Sequence, residues 1–328
     1  MPKQPRIVLF GGGTGSFTLL QGLKKLTPYL TAIVSMSDDG GSTGVLRDEL
    51  GVLPPGDVRQ CLVALSDLPE VRDLFGYRFE VGRLEGQSLG NIILSGLELQ
   101  YGNFEDAVRI AGDLLHSRGS VVPVTIDKHT LVVDDGSQVY RGEHIIDGAL
   151  PLSAAATVRL DPLAQLNPRA RDAIMAADMI IIAPGSFHTS LLPILAVSGM
   201  EAALKATAAK VVSVTNLINK PGQTDDWHIV DYVKQLERYI GNDVLDVVLY
   251  NSEPITDALL QKYATEGEFP VQIELDRFAE VTNVLMVGAR LVSKEIATRS
   301  SVSDTVRRTL IRHDASAVCS EIKKLLQD

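Results

Sequence analysis

The sequence predicts an α/β fold: a mainly parallel β-sheet with helices on both faces. Three observations carry this. Short apolar runs rich in β-branched residues alternate with amphipathic stretches at helical spacing along most of the 328 residues. Polar or glycine-rich punctuation stands at the carboxyl end of nearly every run, the end at which such sheets bind ligands. The first run, Arg6–Phe10, leads into Gly11-Gly12-Gly13-Thr14-Gly15-Ser16 and a helix. That arrangement aims backbone N–H groups and a positive helix end at an anion.

Ser16 excludes the two best-known phosphate fingerprints. A dinucleotide fingerprint needs Gly or Ala at its position, and a P-loop needs Lys followed by Ser or Thr. The turn Gly11–Gly15 therefore reads as a nucleotide or phosphate site of another type, the alternative being a tight strand-to-helix turn without a ligand. Phe17, Leu19, Leu20, Leu23 and Leu26 continue at helical spacing. Leu30–Met36 is a second strand, ending in Ser37-Asp38-Asp39-Gly40-Gly41-Ser42-Thr43-Gly44. The adjacent carboxylates Asp38 and Asp39 suit a hard cation such as Mg²⁺ or the hydroxyls of a ribose or sugar. An Asp-Gly turn with solvated charges is the plainer option. Gly40, Gly41 and Ser42 form a second small-residue loop.

Leu53-Pro54-Pro55-Gly56 introduces a helix that Asp57 is placed to cap. Arg59 falls in the first turn, where the helix dipole disfavours a cation, so an anion partner is expected. Gly86–Asn91 is a third small-residue loop before the apolar run Ile92–Leu99, and it offers Ser88 and Asn91 to a sugar or base. From Val121 to Leu160 the texture becomes β-rich, with Asp134-Asp135-Gly136 between two runs signalling a hairpin. This segment reads as a small, partly antiparallel insertion at the edge of the main sheet.

Strand-then-loop units return with Met179–Ala183, which ends in Pro184-Gly185-Ser186 before a helix from His188 to Val197. Lys210–Val214 ends in Thr215-Asn216, and its loop runs through Lys220 to Thr224. Asp225 or Asp226 is placed to cap the next helix, which carries Trp227, Val230, Val233 and Leu236. Val244–Tyr250 is a further strand. Residues 297–304 are linker-like; Arg307, Arg308 and Arg312 follow, then a last helix, Ala315–Leu325, capped by Asp314. Arg312 either belongs to that helix entry or swings into the site to clamp a diphosphate, a task suited to a forked cation.

The length allows one large domain or two average ones. Hydrophobic residues at 45% and charged residues at 22% exclude extensive disorder. A formal net charge of −10 argues against nucleic-acid or anionic-membrane partners. Met1–Pro5 leads directly into the first strand and no apolar run approaches a membrane span, so a cytoplasmic protein is expected. Cys61 and Cys319 form no C-x-x-C motif or metal cluster. The six histidines are scattered; His188 alone stands at the mouth of an expected strand. No H-E-x-x-H or G-x-S-x-G motif supplies a zinc site or nucleophile. Mg²⁺-assisted displacement at phosphorus, or ligand sensing without turnover, fits better than acyl transfer.

Gly11-Gly12-Gly13-Thr14-Gly15, Ala32-Ile33-Val34, Asp38 to Gly44 and Leu53 to Arg59 closely resemble the gluconeogenesis factor family (YvcK-like), which shares a superfamily with the 2-phospho-L-lactate transferases (CofD). Ser88-Leu89-Gly90-Asn91, Pro184-Gly185-Ser186, Pro221-Gly222 and Arg312-His313-Asp314 extend the match over almost the whole chain. Gln87, Phe187-His188 and Thr215 to Lys220 depart from the family pattern. The resemblance implies a single Rossmann-like domain over residues 1–328, with the insertion at 121–160, a C-terminal helix within 305–328, and a homodimer. In the factor branch it implies UDP-N-acetylglucosamine or a related UDP-sugar as ligand, no covalent cofactor, and control of cell-wall precursor supply and cell shape on gluconeogenic carbon through a protein partner. In the transferase branch it implies transfer of a phospholactyl group from a guanosine diphospho-lactate donor to a deazaflavin, with Mg²⁺. Carried over by position, Gly11 to Gly15, Asn91, Gly185, Ser186 and Asn216 are nucleotide contacts. Arg312 is a diphosphate clamp, Tyr263 contacts the base or sugar, and Asp38 and Asp39 match the acidic pair associated with metal and substrate.

Three functions follow as expectations. The first is a UDP-sugar-binding regulatory protein. The second is a Mg²⁺-dependent transferase of a substituted phosphate group, with Asp38 and Asp39 catalytic. The third, an NAD(P)-dependent oxidoreductase, is disfavoured by Ser16.

Overall fold

The computed structural model describes residues 4–148, 151–265, 267–293 and 311–327. The linker-like stretch 297–304 and the arginines at 307 and 308 lie outside them, and the segment expected at 305–328 is described from Ile311 to Gln327. In chain order the strands are β1 (Ile7–Phe10), β2 (Leu30–Val34), β3 (Ser120–Pro123), β4 (Thr130–Asp134), β5 (Val139–Arg141), β6 (Thr157–Asp161), β7 (Met179–Ile182), β8 (Lys210–Val214), β9 (Val247–Asn251) and β10 (Leu285–Ala289).

Seven of them form one sheet in the order β10-β9-β8-β7-β1-β2-β3, and every neighbouring pair is parallel. The chain builds outward from β1 to β2 and β3, returns to pair β7 with the other side of β1, and then builds outward again. The order therefore reverses between β1 and β7. Leaving the three-stranded insertion aside, this is the doubly wound order, extended by one strand. Right-handed crossovers then place helices on opposite faces on the two sides of the reversal. β1 and β7, at the centre, are buried along their whole length, as strands covered on both faces must be.

The helices are α1 (Gly13–Leu23), α2 (Gly41–Leu50), α3 (Gly56–Leu65), α4 (Pro69–Gly76), α5 (Leu89–Tyr101), α6 (Phe104–Leu114), α7 (Glu143–Asp147), α8 (Pro168–Ala176), α9 (Leu192–Leu195), α10 (Met200–Ala206), α11 (Ile229–Ile240), α12 (Asp257–Ala264) and α13 (Ala315–Leu325). α1 packs against α3 and α13, and α10 against α8 and α11. The helix expected from His188 opens as a π-helical turn, Phe187–Leu191, before α9.

The insertion differs from expectation in extent and place. β3 is the edge strand of the main sheet, so the antiparallel sheet, ordered β5-β4-β6, begins only at Thr130. It does not hang on that edge. Leu131, Val133, Ile146, Val158 and Leu160 are buried in the common core, and β6 packs on α9 while α7 packs on the π-helical turn after β7. The insertion thus covers the carboxyl end of the central strands, because its apolar face needs a partner and that end supplies one. Capping differs too. α11 is capped by His228, whose Nδ1 accepts the Val230 N–H at 3.1 Å while Asp231 accepts the His228 N–H at 2.8 Å. Asp225 instead accepts from the Gly222 N–H. Trp227, packed edge-on against Phe187 and Tyr232, delays the helix start past both aspartates. Asp314 caps α13 as expected, accepting from Ser316 and Ala317.

Candidate functional site

The loops after β1, β7 and β8 converge at the reversal of strand order, where doubly wound sheets open a crevice. They enclose a cavity of about 390 Å³ lined by Gly12 to Gly15, Pro184 to Ser186, Asn216 to Lys220, Arg312 and His313. The glycines answer first to the protein itself. A Cβ on Gly12 would run into the Asp57 carboxylate, and one on Gly15 into the Pro184 carbonyl oxygen. Gly15 thus permits the tight approach of the β1 and β7 loops and Gly12 that of Asp57 on α3, and together they bring the amino end of α1 to the cavity wall. Asn216 ties the next loop in: it accepts the Gly185 N–H at 3.2 Å and donates to the Gly185 carbonyl at 2.9 Å.

Seven of the residues singled out in the sequence line this cavity besides Gly13: Gly12, Thr14, Gly15, Gly185, Ser186, Asn216 and Arg312. Gly11 stands just behind them, its N–H donated to the Ile33 carbonyl. Tyr263 is buried in a small cluster with Leu217 and Ile311, and its hydroxyl accepts the Ile311 N–H at 2.9 Å. It supports the Arg312 segment from behind. His188 is fully buried among Phe187 and Trp227, and burial, with the nearby Lys220 charge, pushes its pKa down to about 4. It is a neutral core side chain at physiological pH.

The remaining candidates form a second group beside the α1 amino end. Asp57 does not cap α3: it lies within that helix, without a cap bond, and accepts the Gly13 N–H at 2.9 Å. Burial, with the Asp38 charge adding, raises it to about 7. Burial is also the main cause that raises Asp38, against hydrogen bonds from Gly40 and Thr43. Glu143 of α7 is pushed up to about 8 by burial and by the charges of Asp147, Asp38, Asp57 and Asp39. Arg59 is buried and donates through Nε to Asn91 at 2.9 Å; the Asp57 and Asp38 charges are the anions near it, but burial and Arg78 still lower it to about 10. Ser42, Ser88 and Asn91 bond to one another through the Ser42 hydroxyl, at 3.1 and 3.3 Å. Gly40 opens α2 as its N-cap, with Gly41 next.

Asp39 is engaged structurally. Its two oxygens accept the backbone N–H groups of Glu143 at 3.1 Å and His144 at 2.7 Å, and one lies 3.6 Å from Arg47. Among the described residues no three His, Cys, Asp or Glu side chains are grouped to hold a metal ion. Asp38 and Asp39 alone would leave most of a cation's shell to water and a bound phosphate.

The sequence reading passed over Lys220 and Asp147. The Lys220 ammonium lies 2.5 Å from Asp147 and 2.9 Å from the Ser186 hydroxyl. A lysine in the loop beyond β8 carries the same positional signal as Asn216, whereas Asp147 meets Lys220 only through the insertion's tertiary placement.

Fold and site define a doubly wound α/β protein with a crevice at its switch point. The chain belongs to the CofD family: the model of the 2-phospho-L-lactate transferase CofD matches residues 7–292. It is similar to the gluconeogenesis factor of Bacillus subtilis, 38% identical over 336 residues that cover 100% of both chains. It is also similar to that of Listeria monocytogenes, 39% identical over 78% of this chain and 80% of the other. Two crystal structures of a Bacillus halodurans protein share the fold at 34% identity, with TM-scores of 0.88 and 0.87 and coverage of 99% and 100% of this chain and 100% of that one. One of them is described as a member of the UPF0052 family. No helix among the described residues is long and apolar enough to cross a membrane.

Proposed function

We propose that this chain is a nucleotide-sugar-binding regulatory protein, with UDP-N-acetylglucosamine as the ligand type, linked to cell-wall precursor supply and cell shape on gluconeogenic carbon. The observation that carries the reading is the cavity at the β1/β7 reversal, where the amino end of α1 meets Lys220 and Arg312. A helix amino end and two cations suit a diphosphate, and Leu217, Ile218 and Ile311 on the same wall offer apolar surface to an uncharged group. Similarity to gluconeogenesis factors supports the regulatory role. A homodimer and a protein partner in cell-wall precursor synthesis belong to the same proposal.

A second reading, transfer of a substituted phosphate group, is favoured by the description of the matching family model. In it Asp38 and Asp39 carry the chemistry, while Asp39 also holds the amino end of α7. Calorimetric titration with UDP-N-acetylglucosamine, GDP and NAD, each with and without Mg²⁺, separates the readings. Preference for the UDP-sugar that survives chelation supports the sensor. Preference for GDP that collapses without Mg²⁺ supports the transferase.

A further inference from the structure

Lys220, which lines the cavity, and Asp147 meet from different parts of the fold. Lys220 stands on the loop beyond β8, and Asp147 ends α7 of the insertion. We propose that Lys220 is an anion-recognising residue held by Asp147 in the free protein, so that a ligand phosphate and the Asp147 carboxylate compete for one ammonium. This rests on the nucleotide-binding reading of the cavity.

Four observations support it. Lys220 and Ser186, which its ammonium bonds at 2.9 Å, both line the cavity that holds the α1 amino end. The ion pair is open to water, its side chains 31% and 35% exposed, so exchanging one anion for another does not strand a charge in a dry interior. Asp147 does not depend on Lys220 alone, because the same oxygen accepts from the Thr189 hydroxyl at 2.9 Å and the Gln223 amide at 3.1 Å. Burial works to raise Asp147, but the Lys220 charge and these donors together hold it below its ordinary range, so at neutral pH it is a charged competitor. A phosphate offers the ammonium several acceptor oxygens and more charge than one carboxylate.

The exchange has a mechanical consequence. α7 is held at both ends, with Asp39 on its first N–H groups and Lys220 on its last side chain. A phosphate that takes Lys220 removes one of three donors from the Asp147 oxygen and eases the carboxyl end of α7, which Thr189 and Gln223 still hold, while Asp39 keeps the other end in place. Ligand arrival is thereby coupled to the insertion through α7.

The test is calorimetric titration of the full chain with UDP and with GDP, at low and high salt. Asp147→Asn removes the competing charge and keeps the donors' partner atom, so the bound nucleotide is expected to gain affinity by about 3- to 10-fold, more at low salt. Lys220→Gln is expected to lose about 10-fold or more, and the double variant to bind as weakly as Lys220→Gln, because the two residues act on one interaction. Hydrogen exchange at residues 143–148 is expected to quicken when nucleotide binds the wild type. Unchanged or weaker binding by Asp147→Asn, or a gain that persists without Lys220, overturns the competition while leaving the nucleotide reading intact. Failure of the wild type to bind either nucleotide overturns that reading itself. If Lys220→Gln melts early, the Asp147→Asn arm decides alone.

Discussion

The Asp39 carboxylate accepts the backbone N–H of His144 at 2.7 Å, across 105 positions of sequence. With the Glu143 N–H on its other oxygen, Asp39 acts as the N-terminal cap of a helix that it does not belong to. Asp39→Ala leaves those N–H groups without their acceptor and is expected to lower stability by about 1–2 kcal/mol. Hydrogen exchange across residues 130–161 checks this. Unaltered protection there would show that α7 is held by other contacts.

Gly12 is expected to tolerate no side chain while Asp57 is present. Gly12→Ala drives a methyl into the Asp57 carboxylate, at a cost of about 1–3 kcal/mol as for other overpacked sites. The backbone at Gly12 is extended, so strain in φ plays no part. Urea unfolding of Gly12→Ala in wild-type and Asp57→Ala backgrounds measures the coupling. An equal penalty in both backgrounds would refute the steric cause.

Through Glu143 and Asp57, stability is expected to fall as pH rises from about 6.5 to 8. Burial and the neighbouring carboxylates let folded Glu143 and Asp57 hold protons up to about 8 and 7, well above the ordinary carboxylate range. In that window Glu143 and Asp57 bind more protons folded than unfolded, so raising pH favours unfolding; below it the buried, neutral His188 and His313 act in the opposite sense. The carboxylates' contribution is absent below the unfolded values and complete above the folded ones. Denaturation at several pH values should show the slope, and Glu143→Gln should flatten it; a slope unchanged in that variant would assign the effect to other groups.

Arg312→Ala is expected to weaken binding of the UDP-sugar by about 10- to 100-fold, since truncating a charged contact to a phosphate group removes its strongest hydrogen bonds. Arg312→Lys should recover only part, because an ammonium lacks the planar fork. Full affinity in the lysine variant would reduce the role of Arg312 to point charge.

His188 is expected to be replaceable by an apolar side chain. It is fully buried, with neither ring nitrogen hydrogen-bonded in the structure, a costly position for a polar ring. His188→Leu should raise stability by about 1 kcal/mol, read from thermal unfolding. A marked loss instead would reveal a buried water bound by the ring.

What the sequence determined was local. Ile7–Phe10 and Met179–Ile182 read as buried strands because every residue in them is apolar, and they are buried throughout. The loops Gly11–Gly15 and Pro184–Ser186 read as site-forming because their chemistry is that of tight turns at strand ends, and both line one cavity. The tertiary structure decided the roles of the charged residues. Asp57 looked like a cap for its own helix but holds Gly13, 44 residues away. Asp39 takes on the cap of α7, 105 residues away, and Lys220 and Asp147, 73 residues apart, had no reason to be paired until the insertion folded over the sheet. Burial of apolar residues follows from short-range pattern. The partner of a charge depends on which distant segments the topology brings within a few ångströms, and no local pattern encodes that distance.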